Sequence, residues 1–207
     1  MNIVDNSLAI VLLGDWNKLY VQPDWVATNI FCKSEMEIGV DAQGIDINVS
    51  YKCDNIIINP SQEKVVLTAT NIKPETIDFL AKCANNYITK AKTPFLAAYG
   101  LNIDFIETDN TLLPDMFDNV SDSQVLSRLN YAIVNSQMNR TIEKDDKTLN
   151  IQYNQEQNYS KIHLNEHHSE PDISSIVFDY ERVVDFIGYS KDIVTSLGYD
   201  IEDIDNE

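Results

Sequence analysis

The chain is short of positive charge. Only 15 lysines and arginines stand against 33 aspartates and glutamates, for a net charge of −18 over 207 residues. A field of that sign repels nucleic-acid phosphates and anionic membranes, so direct nucleic-acid binding is not expected. Cysteine is scarce as well. Cys32, Cys53 and Cys83 are widely spaced and form no CxxC pair, which removes a zinc ribbon and a thioredoxin-type site. The six glycines never cluster, and no GxxxxGK[ST] loop is there to cradle a phosphate. No G-x-S-x-G elbow presents a serine nucleophile. The apolar run Leu8–Leu13 is six residues long, far from the roughly 18 needed to span a bilayer. Its approach lacks the basic segment of a signal peptide. The expectation is a cytoplasmic, reduced protein without a membrane segment.

What is present is an ordinary globular composition, 43% hydrophobic and 23% charged, on a chain long enough to bury a core. Leu8–Leu13 reads as a buried strand, and "WVATNIF" (25–31) as another. Met36, Ile38, Val40, Ile45, Ile47, Val49 and Tyr51 alternate with polar residues, the pattern of a half-buried strand broken near Gln43-Gly44. A strand pair flanks Asn59-Pro60-Ser61. The period then changes: Ile77, Leu80, Ala84, Tyr87 and Ile88 fall at helical spacing behind Pro74, which suits a first helical turn.

"TPFLAAYGLNIDFIET" returns to extended structure, with Ala98, Gly100, Asn102 and Asp104 opposite Tyr99, Leu101, Ile103 and Phe105. The small residues there imply close packing, most simply by the preceding helix. "VLSRLNYAIVN" reads as a strand, with helix as the competing reading, and "TLNIQYNQ" and "YSKIHLNEHH" read as later strands. A final helix carries Ile173, Ile176, Val177, Tyr180, Val183, Val184, Ile187, Val194 and Leu197 on one face, with Gly198 as its cap. The fold class is therefore α+β: an antiparallel meander with helices on one face. Two halves, residues 1–108 and 125–207, follow one strand-then-helix plan with little residue-level similarity; an acidic connection at 109–124 joins them, and they are compatible with one continuous domain.

The "AAYGLNIDF" strand after a Thr-Pro, and the "HLNEHH" strand before a last helix, resemble a group of uncharacterised bacterial α+β proteins with no known activity. The resemblance covers the pattern of residues 35–197 and implies a bacterial or phage source, with a defence or mobile-element context. In outline the plan is also similar to SecB-like chaperones, a likeness of architecture without a shared sequence motif.

All three histidines lie in "HLNEHHSEP" (163–171). On a strand, His163, Asn165 and His167 share one face, and Leu164, Glu166 and His168 the other. Imidazoles suit zinc, nickel or iron, so His163 and His167 are metal-ligand candidates, with Glu166 or Glu170 joining only if the chain bends. That arrangement would serve a metal-dependent hydrolase. The simpler reading is a polar strand end, with His168 opening the loop to a helix that Asp172 or Ser169 caps. No catalytic residue and no cofactor is assigned.

Recognition has three candidate surfaces. Trp16, Tyr20 and Trp25 form an aromatic group that fits an interface anchor or a buried patch. The connection offers Asp115 and Asp118 beside apolar residues, and the C-terminal tail offers Asp200, Glu202, Asp203 and Asp205. The charge is uneven: residues 1–108 carry 8 basic and 13 acidic groups, and 109–207 carry 7 and 20. The expected function is non-enzymatic interaction with a basic protein partner. A nucleic-acid mimic, a chaperone-like inhibitor and the metal-dependent hydrolase are the alternatives, and homo-oligomerisation is open.

Overall fold

The computed structural model describes residues 1–43, 46–91, 96–108, 126, 128–130, 134–144, 147–156, 158–169 and 172–201. Its frame is one antiparallel sheet of ten strands: β1 (Asn2–Ile3), β2 (Ala9–Gly14), β3 (Glu37–Gln43), β4 (Asp46–Cys53), β5 (Ile56–Pro60), β6 (Lys64–Ala69), β7 (Leu96–Glu107), β8 (Asn135–Lys144), β9 (Lys147–Glu156) and β10 (Ser160–Ser169). The spatial order is β3-β4-β5-β6-β2-β7-β10-β9-β8, with β1 also on β7. The sheet does not close, so β3 and β8 are its edges. It runs without a break through both halves expected from the sequence, joined where β7 of the first pairs with β10 of the second.

Strands β1 and β2 lie on the same edge of β7. Asn2 pairs with Ile106, while Ala9 pairs with Asn102. The extra residues between them turn at Asn6, which takes the left-handed conformation (φ 59°) that asparagine tolerates. Ser7 Oγ fills the gap by accepting from the Asp104 backbone N–H at 3.1 Å.

Two long helices cover one face. α2 (Pro74–Lys90) lies over β5 and β6, and α3 (Tyr180–Ser196) over β7 and β10, in contact with each other. α2 starts at Pro74, as its sequence predicts, and Asn71 Oδ1 ties down the entry by accepting from Lys73 N–H and the Thr76 hydroxyl. α3 starts later than the apolar pattern implies. Ile173–Ser175 is a separate short turn held by Asp172, and Val177 is exposed. Asp179 caps the true helix by accepting from Arg182 N–H at 2.8 Å. Gly198 then ends it with φ of 92°, a conformation glycine adopts freely.

Two further expectations fail. "WVATNIF" is not a strand: α1 (Pro23–Val26) begins at Pro23 and continues as a wider helical turn through Phe31. A short apolar run does not distinguish strand from helix, and here proline at the first helical position decides. At 125–135, where strand was expected and helix was the competing reading, Leu126 and Arg128 are helical and Leu129 and Asn130 turn. The 109–124 connection lies outside the described residues.

Period-two alternation puts the core on the helix side. One cross-strand row reads Ile58, Leu67, Ile10, Leu101, Glu166, Leu149, Ile142. Every member but one is aliphatic. That one, Glu166, is 2% exposed.

Candidate functional site

A carboxylate in an apolar row must be paired or neutralised. Glu166 is paired on both oxygens. Oε1 lies 2.6 Å from His168 Nε2 and accepts from Arg182 Nη2 at 3.3 Å. Oε2 accepts from the Tyr189 hydroxyl and lies 3.6 Å from Lys147 Nζ. Burial alone would push this carboxyl up. The His168 and Tyr189 hydrogen bonds, with the Lys147 and His168 charges, outweigh it and lower the carboxyl to about 2. Burial first, and then the bond to Glu166, hold the Tyr189 phenol well above its ordinary range.

The four partners come from three elements. His168 stands two residues along β10 on the same face as Glu166. Arg182 projects from the first turn of α3 and Tyr189 from two turns later, while Lys147 opens β9. The His168 ring stacks on Tyr99 of β7 at 4.5 Å, nearly parallel at 12°. Arg182 lies over the Tyr99 and Phe178 rings and donates to the Tyr99 hydroxyl at 3.0 Å. Lys147 Nζ sits 5.4 Å from the centre of the Tyr189 ring. These groups lock one another's rotamers.

Beside the cluster a cleft of about 590 Å³ opens between α3 and the β8–β9 hairpin. Leu149, Ile142, Ile193 and Leu197 supply its apolar wall, and Glu166 and Tyr189 its polar end. Lys147 and Asp192 also line it. Few convergent polar groups in an apolar cleft is the usual anatomy of a binding site. The outer side of α3 continues from it. Glu181, Asp185 and Asp192 are exposed and fall on one helical stripe. No salt bridge joins them to a cation among the described residues.

The residues singled out from the sequence are placed differently. His163 and His167 share the face of β10 away from the helices, as expected, but β10 stays extended from Ser160 to Ser169. Four residues on a strand span about 13 Å, so the two rings do not meet at one ion. His163 Nδ1 lies 2.6 Å from Asp104 Oδ1, and His167 Nε2 lies 2.9 Å from Ser169 Oγ. Among the described residues no three His, Cys, Asp or Glu side chains form a metal-holding group. Glu170 lies outside those residues. His168 does not open a loop; it is a strand residue facing α3.

Trp16 is no exposed anchor. At 1% exposure it is core, edge-on to Tyr87 at 5.7 Å, with its indole N–H donating to Leu12 O at 3.3 Å. Tyr20 and Trp25 pack against that core, partly buried, 5.0 Å apart. Asp200 is exposed, and its backbone carbonyl accepts from the Met1 ammonium. Asp115, Asp118, Glu202, Asp203 and Asp205 lie outside the described residues. Among the described residues no helix is long and apolar enough to cross a membrane.

The small face of β7 also has a different neighbour from the one expected. A Cβ on Gly100 would lie 2.8 Å from Asn165 Nδ2 and 3.0 Å from Glu166 O. The close packing comes from β10 on the helix-free face, where Asn102, Asn165, Asn150 and Thr141 form a hydrogen-bonded row.

Sequence reasoning missed Glu166, His168, Arg182 and Tyr189 as a unit. The available signal was a glutamate at the apolar phase of β10, between Leu164 and His168, which calls for a cation on whatever covers that face. In comparisons with known proteins, no family model matches the chain, and no curated protein matches it significantly.

Proposed function

We propose that this is a non-enzymatic binding protein whose acidic half takes an amphipathic, basic segment of a protein partner along α3. The observation that carries the reading is the line of exposed carboxylates Glu181, Asp185 and Asp192, ending at the apolar cleft. Apolar side chains of the segment fill the space between Leu149, Ile193 and Leu197, and its lysines or arginines face the stripe. The Glu166 cluster supports this as a rigid floor: its carboxylate is held by four partners and offers no free base. The excess of acid in residues 109–207 adds long-range attraction for such a segment.

The test is fluorescence anisotropy with a labelled helical peptide of leucine and lysine, against a glutamate-for-lysine control. Binding of the lysine peptide alone, weakened by salt and lost in a Glu181→Lys, Asp185→Lys, Asp192→Lys variant, is the expected result. Equal binding by that variant, or by the acidic control peptide, removes the stripe from the function.

A further inference from the structure

The opposite end of the sheet carries a separate surface. On β3, Ile38 is 52% exposed and Val40 65% exposed, two large apolar residues on the helix-side phase of an edge strand. Among the described residues, β4 alone pairs with β3. A free edge with exposed apolar side chains is a template for another strand. Among the described residues the second edge, β8, exposes one large apolar residue, Ile142 at 45%, on a strand that also carries Arg140, Glu143 and Lys144, charges of the kind that blunt an edge.

We infer that β3 is a self-association edge, and that two copies of this chain pair antiparallel across it about Val40. The register follows from charge. Centred on Gly39, the pairing would set Glu37 opposite Asp41 twice. Centred on Asp41, it would set that carboxylate opposite its own copy. Centred on Val40, Glu37 falls opposite Gln43, Ile38 opposite Ala42 and Gly39 opposite Asp41, so no carboxylate directly faces another. Like charges directly opposite destabilise a strand pair, whereas apolar pairs stabilise it. Val40 then meets Val40 on the axis.

A second copy fits this edge better than a foreign basic strand. Residues 1–108 hold 13 acidic and 8 basic groups, against 20 and 7 in the remainder. Two molecules of the same sign therefore approach with least repulsion at this end, while basic partners are drawn to the other. The twofold axis stands perpendicular to the sheet, so both copies keep their helices on one side and Ile38 and Val40 of each adjoin those of its mate. The pairing is isologous and uses the β3 edge of both copies, so this interface closes at two.

Sedimentation velocity of the intact protein across the micromolar range tests this. A monomer–dimer equilibrium is expected, weakened roughly tenfold or more in Val40→Lys, where two cations would meet on the axis. Val40 is exposed, so this variant keeps the far-ultraviolet spectrum of the parent. The register is read from Val40→Cys in a Cys32→Ser background: mild oxidation should give a dimer whose cross-linked peptide joins position 40 to position 40. A protein monomeric throughout that range, a dimer indifferent to Val40→Lys, or cross-links that avoid position 40 would each overturn the inference.

Discussion

His168 and Glu166 face the same side of β10, and Nε2 of the histidine lies 2.6 Å from Oε1 of the glutamate. Two residues apart on a strand, such side chains stand side by side. Here α3 closes over them, and Arg182 and Tyr189 complete the set. The pair thus ties the sheet to the helix that carries the acidic stripe, and its strength is measurable in stability before any partner is known.

Replacing Glu166 with alanine leaves Arg182 and His168 beside an apolar row with their anion gone. Removing one partner of a buried ion pair costs about 3–5 kcal/mol. With the Arg182 side chain 31% exposed, the low end of that range, about 3 kcal/mol, is expected. Urea unfolding followed by tryptophan fluorescence measures it, and a loss near zero would mean that the cluster does not hold α3 down.

Acid should undo the same contacts. Glu166 is lowered from an ordinary 4.5 to about 2. In Asp104, burial raises the carboxyl, and the hydrogen bonds of His163 and Lys161 more than reverse that, leaving it below its ordinary 3.8. A lowered carboxyl binds fewer protons in the folded state, so its contribution is full above the unfolded value and lost as pH falls through the folded one. The urea midpoint should fall steadily from just above pH 4.5 towards pH 2. In Glu166→Gln the slope of that fall should be shallower; an unchanged slope would assign acid sensitivity to other carboxylates.

Two glycines should respond to alanine with opposite signs. At Gly100 the added methyl meets the Glu166 carbonyl at 3.0 Å and Asn165 Nδ2 at 2.8 Å, so about 1–3 kcal/mol of destabilisation is expected from overpacking. At Gly188, exposed on α3, nothing lies within 4 Å of the new Cβ, and helix propensity should stabilise by about 0.5–1 kcal/mol. Thermal melting of both variants decides it; destabilisation by Gly188→Ala would show that this side of α3 is covered.

Much of the framework was legible locally. Period-two alternation in 96–107 and 160–169 gave β7 and β10 with the correct residues on each face, and the helical spacing behind Pro74 gave α2. Where several signals competed, reading failed. The apolar residues Ile173, Ile176 and Val177 fit a helical stripe, yet Asp179 provides the cap and the helix waits for it. Ile38 and Val40 alternate like a half-buried strand, but β3 lies at the edge and both side chains remain in solvent.

The site was harder to read because its parts are joined by folding alone. The sequence by itself determined that Glu166 and His168 share a strand face, since that depends only on the pleat of a short segment. It also determined the excess of acid in the second half. Only the tertiary structure decided that this face is the buried one, that Lys147, Arg182 and Tyr189 converge on the carboxylate, and that Glu181, Asp185 and Asp192 lead to a cleft. The physical reason is range. Periodicity records which residues point together along one element, whereas burial and charge pairing depend on which elements the sheet order and helix packing bring into contact.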